Sequence, residues 1–190
     1  MTIGAPGFAE PAAQSQACFR AVLDAMSRPG RIVDIGVDVR PPAPLDAATA
    51  AVLLTLCDAD TPLWLDGATQ PARVWLAFHC GAPLVPRGLA ALGVDLAWTG
   101  LDGLPAGTDE APESSATLIA QVAELGRGRE WRLSGPGLPA PATLRVDGLP
   151  VSFAADWHAN RSLFPRGVDL ILCASDRLAA LPRTVTVERA

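Results

Sequence analysis

The sequence contains no lysine, because all 15 of its basic residues are arginine. A chain without lysine cannot form an internal aldimine between a lysine side chain and pyridoxal phosphate. It also cannot supply the phosphate-binding lysine of a P-loop or the strand lysine of a protein kinase. These absences exclude pyridoxal-phosphate catalysis of the usual kind and two large classes of phosphoryl transfer. We therefore expect no covalently bound cofactor.

The sequence also lacks the long apolar stretch that a membrane-spanning helix needs. No apolar run approaches the ~20 residues required to cross a bilayer. The first ten residues, MTIGAPGFAE, carry neither a basic segment nor an apolar one, so they do not resemble a secretory signal. With 49% hydrophobic and 18% charged residues, the composition is typical of a globular protein. We expect one domain over residues 1–190, located in the cytoplasm and without a membrane contact.

Basic clusters and metal-binding patterns are scarce as well. The formal net charge is −5, and the one dense basic run, residues 127–132, is interrupted by Glu130, so nucleic acid is not an expected partner. The four cysteines form no C-x-x-C pair and only two histidines accompany them, which gives no zinc pattern and no expected metal. Cys18, Cys57 and Cys173 lie within apolar runs, where a free cysteine behaves as a small hydrophobic residue.

The spacing of apolar residues predicts three helices in the first half of the chain. The first begins near Ser15, which is a good N-cap residue, and ends at Pro29. The second covers residues 47–57, and the third covers residues 70–79. Short strands are predicted at residues 32–35, 61–65 and 94–98.

Strands dominate the prediction for the second half, after a Gly/Pro/Asp-rich surface loop at residues 99–114. Residues 115–125 fit either a helix or a strand. The glycines that follow and the alternation in residues 129–135 favour two strands paired like a hairpin. A short helix over residues 150–160 and two or three strands over residues 168–188 complete the chain. This order predicts an α/β fold, a single three-layer α/β/α domain with a mixed sheet.

A Pro-Gly corner follows the first predicted helix, and two arginines flank it. Arg28 and Arg31 could hold an anion there, but anions bind at helix N-termini, and this corner follows a helix C-terminus. The sequence therefore favours a structural joint, at which Pro29 ends the helix and Gly30 allows a sharp turn into the next strand.

A second glycine-containing turn, LSGPGL, follows a predicted strand and is the better candidate for an anion site. Successive backbone N–H groups in such a turn can cradle a phosphate. The candidate residues are Arg132, Ser134, Gly135 and Gly137. No helix follows at once, so the turn is not a dinucleotide-binding fingerprint. A glycine turn at a sheet edge is the alternative interpretation.

Three weaker candidates remain in the sequence. His79 precedes Cys80, but neighbours in sequence usually point apart, which favours a helix-terminal histidine beside a buried cysteine. Asp58 and Asp60 could offer carboxylates to Mg²⁺, although aspartates before a proline commonly stabilise a turn. Arg166 belongs to a polar group with Asp156, His158 and Arg161, for which a mixed polar surface is the default interpretation.

Seven segments form an ordered series along nearly the whole chain: FAEPAAQSQACFRAVLDAMSRPGRIV, LDAATAAVLLTLCDADTPLWL, FHCGAPLV, ESSATLIAQVAEL, RLSGPGL, LFPRGVDLIL and LPRTVTVE. In this series the sequence resembles the PhnH family, whose members are subunits of the bacterial carbon–phosphorus lyase system for phosphonate use. Three positions depart mildly from the family pattern. Cys80 stands where Thr is frequent, Val168 where Ile is usual, and Val185 where Thr is common.

The resemblance implies a fold similar to the large domain of pyridoxal-phosphate-dependent transferases, without that cofactor. It also implies a homodimer that joins the sibling G, I and J subunits in a core assembly. That assembly transfers the ribose triphosphate moiety of ATP to an alkylphosphonate with loss of adenine, so ATP would be a substrate of the complex. The resemblance carries over no catalytic residues, and we expect a subunit that is not active in isolation. The alternative is a stand-alone phosphate-, phosphonate- or nucleotide-binding protein that uses the glycine turn and nearby arginines.

Overall fold

A computed structural model describes residues 6–190. Within that range the chain forms four α-helices: α1 (Pro11–Ser27), α2 (Ala47–Leu56), α3 (Gln70–His79) and α4 (Phe153–Arg161). It also forms nine strands: β1 (Val33–Asp34), β2 (Leu63–Asp66), β3 (Leu92–Asp95), β4 (Thr117–Gln121), β5 (Glu124–Ser134), β6 (Ala142–Asp147), β7 (Asp169–Ala174), β8 (Arg177–Leu181) and β9 (Thr186–Arg189). Across these described residues, no helix has both the length and the apolar character needed to cross a membrane.

Six of the strands form a mixed sheet in the order β1-β8-β7-β4-β3-β2. The strands β2, β3, β4 and β7 run parallel, whereas β8 is antiparallel to both of its neighbours. Successive residues of the central strand β4 pack into the two hydrophobic cores on opposite sides of this sheet. Ile119 packs on one side of the sheet, and its neighbours Leu118 and Ala120 pack on the other. Both faces of the sheet are therefore covered, as parallel strands require.

Different elements cover the two faces of this sheet. The helices α1, α2 and α3 cover the first face with residues such as Cys18, Leu53 and Trp75. A three-stranded antiparallel sheet, in the order β6-β5-β9, covers the second face together with α4, and it contributes Trp131 while α4 contributes Trp157. The α/β class and the mixed sheet are confirmed. The second outer layer, predicted to be helical, consists mainly of the small sheet.

Residues 115–125 contain a strand, but the predicted hairpin is wrong. β4 pairs with β3 and β7 in the large sheet, and β5 pairs with β6 and β9 in the small sheet. Leu118, Ile119 and Ala120 are all buried, so β4 has no face that suits solvent and takes a central position. β5 alternates buried and exposed residues along its second half, as a strand with one solvent face does.

The helix α1 begins at Pro11, four residues before the predicted Ser15. Proline suits the first turn of a helix because its φ is fixed and its missing N–H would have no partner there. The predicted end is correct. Arg28, the residue before Pro29, has left the helical region with φ −131° and ψ 74°. Local signals therefore located the end of α1 better than its start.

Candidate functional site

The carboxyl ends of parallel strands are where an open α/β sheet usually binds a ligand. In this chain, residues from other loops occupy part of that edge. Gln121, at the end of β4, accepts a hydrogen bond from the Asp46 backbone N–H at 2.8 Å and donates to the Pro44 carbonyl at 2.8 Å. The Asp46 carboxylate accepts from the Ser175 backbone N–H at 3.0 Å, and burial raises the pKa of Asp46. Internal hydrogen bonds thus close the edge at β4 and β7.

A second polar network lies at Asp95, the last residue of β3. The strand ends there three residues before its predicted end at residue 98. The fully buried Asp95 carboxylate accepts from the Ala97 N–H at 3.1 Å and from the Thr99 hydroxyl at 2.8 Å. The Thr99 hydroxyl in turn accepts from Arg87 Nη1 at 2.7 Å, and the Arg87 guanidinium lies 4.3 Å from the centroid of the Trp64 ring. Sequence reasoning missed this network, for which the available signal was an aspartate at a strand end.

The predicted anion-binding turn packs against the end of α1. A Cβ at Gly137 would come within 3.0 Å of Pro29 Cδ, and a Cβ at Gly135 would lie 3.2 Å from the Thr184 carbonyl oxygen. One turn N–H, that of Leu138, donates to the Gly135 carbonyl at 3.2 Å. The glycines therefore allow close packing of backbone against backbone. Anion binding by this turn stays a prediction.

Arg132 and Ser134 lie on the outer face of β5, and they alternate with Trp131 and Leu133, which are buried on its inner face. Arg132 stands opposite Thr143 of β6 and opposite Glu188 of β9, and directly opposed residues share a face of the sheet. The same face forms a cleft of about 550 Å³ that Glu130 also lines. Two arginines, Arg132 and Arg189, and two carboxylates, those of Glu130 and Glu188, line this cleft. Its mixed charge does not single it out as an anion site.

Both arginines at the Pro-Gly corner contact the same carboxylate. Asp24 forms an ion pair with Arg28 and a second one with Arg31, whose Nη1 lies 3.1 Å from Asp24 Oδ2. Gly30 has a φ of +83°, and a Cβ there would lie 2.5 Å from Leu133 Cδ1. The corner thus turns the chain and packs against β5, in agreement with its interpretation as a joint.

His79 and Cys80 point to different neighbours at the end of α3. The Cys80 thiol is buried and donates to the Leu53 carbonyl at 3.8 Å. The His79 ring centroid lies 4.7 Å from that of Trp75, and a Cβ at Gly7 would be 2.9 Å from His79 Nδ1. Burial raises the pKa of Cys80 to about 11, so little thiolate exists at neutral pH. The two side chains do not form a nucleophile–base pair.

The Asp58 side chain stabilises the turn between α2 and β2, and Asp60 takes part through its backbone N–H. Asp58 Oδ1 accepts from the Thr61 hydroxyl at 2.7 Å and from the Asp60 backbone N–H at 3.0 Å. These hydrogen bonds, with that of Thr61 the largest cause, lower the pKa of the Asp58 carboxyl. Over residues 6–190, no group of three or more His, Cys, Asp or Glu side chains could hold a metal ion.

The predicted polar surface of Asp156, His158, Arg161 and Arg166 lies on α4 and on the loop that follows it. Arg166 Nε lies 3.0 Å from Asp109 Oδ1. The buried Asn160 side chain donates to the Val168 carbonyl at 2.9 Å and accepts from the Val168 N–H at 2.8 Å. These two hydrogen bonds close the loop whose tip carries Phe164. Sequence reasoning missed Asn160, because a partner eight residues away leaves no local pattern.

The family model for the bacterial phosphonate metabolism protein PhnH matches residues 6–188. The chain belongs to the PhnH family. A relative in Rhizobium meliloti (strain 1021), named alpha-D-ribose 1-methylphosphonate 5-triphosphate synthase subunit PhnH, is 41% identical over 189 residues, which cover 96% of this chain and 94% of the relative. A relative in Stutzerimonas stutzeri, named putative C-P lyase subunit protein HtxG, is 31% identical over 187 residues, covering 93% of this chain and 87% of the relative. The resemblance inferred from the seven segments is confirmed.

Segments that carry the resemblance to the PhnH family contact one another in the fold. Gly137 of RLSGPGL packs against Pro29 of the first segment. Arg183 of LPRTVTVE forms an ion pair with Asp169 of LFPRGVDLIL, with Nη2 2.5 Å from Oδ2. At these positions the family segments join elements of the structure. Three of them also meet at a small cavity, which is lined by Pro136 of RLSGPGL, Phe164 of LFPRGVDLIL and Thr184 of LPRTVTVE.

Proposed function

We propose that this chain is a subunit of the carbon–phosphorus lyase core assembly in phosphonate catabolism. In that role it supports transfer of the ribose triphosphate moiety of ATP to an alkylphosphonate with release of adenine. The observation that carries the proposal is the identity to the Rhizobium meliloti synthase subunit, which extends over 96% of this chain. The name of the second relative, a putative C-P lyase subunit, supports the same role.

We infer that the chain contributes to this reaction without being catalytic alone. The strongest nucleophile candidate, Cys80, is buried with a raised pKa, and the carboxylate of Asp58 is engaged in a turn. ATP would be a substrate of the assembled complex. The alternative, a stand-alone phosphate- or nucleotide-binding protein, is not favoured, because the relatives are named as subunits and the cleft beside Arg132 is of mixed charge.

We further propose that the chain is a single cytoplasmic domain, forms a homodimer and joins sibling G, I and J subunits. The α/β class and the four parallel strands support a fold similar to the large domain of pyridoxal-phosphate-dependent transferases. The chain would belong to the relatives of those transferases that have no pyridoxal phosphate, since it has no lysine to form the aldimine.

Reconstitution tests this function directly. The chain is co-expressed with the G, I and J subunits, and adenine release from ATP and methylphosphonate is measured by chromatography. We expect release by the full set, a strong loss when this chain is omitted, and none from this chain alone. Turnover by the isolated chain would contradict the accessory role. Equal turnover with and without the chain would contradict its role as a subunit.

A further inference from the structure

The loop after α4 presents two apolar side chains to solvent. The side chain of Phe164 is 65% exposed, and that of Leu163 is 36% exposed. Beside them lies a cavity of about 300 Å³ lined by Pro136, Arg161, Phe164 and Thr184. These five residues are called the Phe164 patch below. It joins an exposed aromatic ring to a concave apolar surface with one cation at its rim.

The loop is held firmly although its tip is exposed. Asn160 uses both ends of its side-chain amide on the backbone of Val168, at 2.9 and 2.8 Å. The preceding backbone group, the Gly167 N–H, donates to the Ala106 carbonyl at 2.8 Å. A Cβ at Gly167 would lie 3.1 Å from the Asn160 carbonyl oxygen, so the closure is tight. An exposed group on a fixed loop loses little conformational entropy on binding, which favours affinity.

Arg161 gives the patch its charge. Its Nε donates to the Thr184 carbonyl at 3.4 Å, and its terminal guanidinium nitrogens have no hydrogen bond or ion pair within residues 6–190. Two arginines later in the chain differ, because Arg166 pairs with Asp109 and Arg183 pairs with Asp169. Phenylalanine and arginine are both enriched at protein–protein interfaces, and arginine is frequent among the residues that contribute most of the binding energy.

A second exposed phenylalanine provides a comparison. The side chain of Phe78 on α3 is 62% exposed, close to the value for Phe164. The Phe78 ring stands edge-on to His79 with centroids 5.0 Å apart, whereas the described part of the chain offers the Phe164 ring no aromatic or cation–π contact. Exposure alone therefore does not distinguish the two rings. What distinguishes Phe164 is the combination of an adjoining cavity, a loop held by hydrogen bonds and an arginine without an acidic partner.

We propose that the Phe164 patch is the surface on which a sibling subunit of the assembly docks. The partner places an apolar side chain in the cavity and a carboxylate against Arg161. This inference rests on the proposed function, in which the chain is a subunit. A second copy of the chain fits the patch less well, because in a two-fold contact centred there Arg161 would face its own copy.

The experiment co-expresses the full chain with the sibling subunits, one of which is tagged, and measures how much of this chain co-purifies. We expect wild-type recovery in a fixed ratio and at least tenfold lower recovery with Phe164→Ala and with Arg161→Glu. The matched controls, Phe78→Ala and Arg40→Glu, make the same substitutions at residues of high exposure and should leave recovery unchanged. Each isolated variant should keep its melting temperature within about 2 °C of wild type, because no buried contact is lost.

The outcomes separate the two proposals. If the wild-type chain does not co-purify with any sibling, the proposed function itself fails. If the wild-type chain co-purifies and both patch variants do so equally well, the docking surface lies elsewhere and the inference is overturned. If the variants lower the mass of the isolated homodimer but keep sibling recovery, the occupant is a second copy, which also overturns it.

Discussion

Gly137 lies directly against Pro29, at a separation that a side chain could occupy only if its neighbours moved. A Cβ at position 137 would come within 3.0 Å of Pro29 Cδ and of the Ser27 carbonyl oxygen. The contact joins the turn after β5 to the C-terminal end of α1, and thus the small sheet to the helical layer. Two stretches that the sequence offered as possible anion sites are therefore each other's packing partners.

This contact predicts an unequal response to alanine at two glycines with positive φ. Gly137 has φ +83° and two close contacts, whereas Gly36 has φ +68° and a Cβ there would meet nothing within 4 Å. Gly36→Ala should lose about 1 kcal/mol of unfolding free energy from backbone strain alone. Gly137→Ala adds a steric clash and should lose about 2–4 kcal/mol. Urea denaturation measures both, and equal losses would contradict the packing role.

The ion pair between Asp169 and Arg183 should contribute more stability than the exposed pairs. Asp169 Oδ1 accepts from the Arg183 backbone N–H at 2.7 Å, Arg183 Nη1 donates to the Pro112 carbonyl at 2.8 Å, and the two side chains are only 15% and 16% exposed. Removing one partner leaves a largely desolvated charge, so Arg183→Ala should cost about 3 kcal/mol.

The exposed pair of Arg145 and Glu130 is the matched control for that prediction. Its side chains are 58% and 39% exposed, and Arg145→Ala should cost less than about 1 kcal/mol. Chemical denaturation at low and high salt compares the two variants. A loss for Arg183→Ala as small as that for Arg145→Ala would show that water still screens the Asp169 pair.

Features with local causes were predictable from the sequence, and features with distant causes were not. The helix α3 has its predicted bounds because its start is defined locally, by the N-cap residue Thr69 and by Pro71 in the first turn. The pairing partners of β4 and β5 depend on which sheet each strand joins, and that in turn depends on contacts with residues far away in the sequence. The contact between Asp46 and Ser175 spans 129 residues, and no sequence motif predicts it. Family membership was predictable because it needs only the order of segments.

Asn160 should be essential for the shape of the loop that carries Phe164. Asn160→Ala removes both hydrogen bonds to Val168 and leaves a buried N–H and a buried carbonyl without partners, at a cost of about 2–3 kcal/mol. We also expect faster proteolysis within residues 161–167 and weaker recovery with sibling subunits, although Phe164 itself is unchanged. The control is Ser162→Ala, which removes one exposed hydrogen bond to the Ala159 carbonyl and should change little. Protease resistance equal to wild type in Asn160→Ala would contradict this role.

The buried thiols should make the protein lose stability in alkali. Burial raises the pKa of Cys57 to about 12 and that of Cys80 to about 11, from 9.0 for an accessible thiol. The folded state keeps these protons at pH values where the unfolded state releases them. The contribution of the thiols to stability is therefore fully present below pH 9 and is lost as the pH rises above 9. Because the sequence has neither lysine nor tyrosine, the thiols dominate titration in this range.

Between pH 8 and pH 10, each such thiol should remove about 1.4 kcal/mol of unfolding free energy. Cys80→Ser removes one of these groups, so the variant should lose correspondingly less stability over that interval than wild type does. Urea denaturation at the two pH values measures the difference, and native thiol labelling at pH 7, which should be negligible until urea unfolds the chain, gives an independent readout. Rapid labelling of the folded protein, or an identical pH dependence in Cys80→Ser, would mean that Cys80 is accessible as a thiolate, and the case against it as a nucleophile would fail.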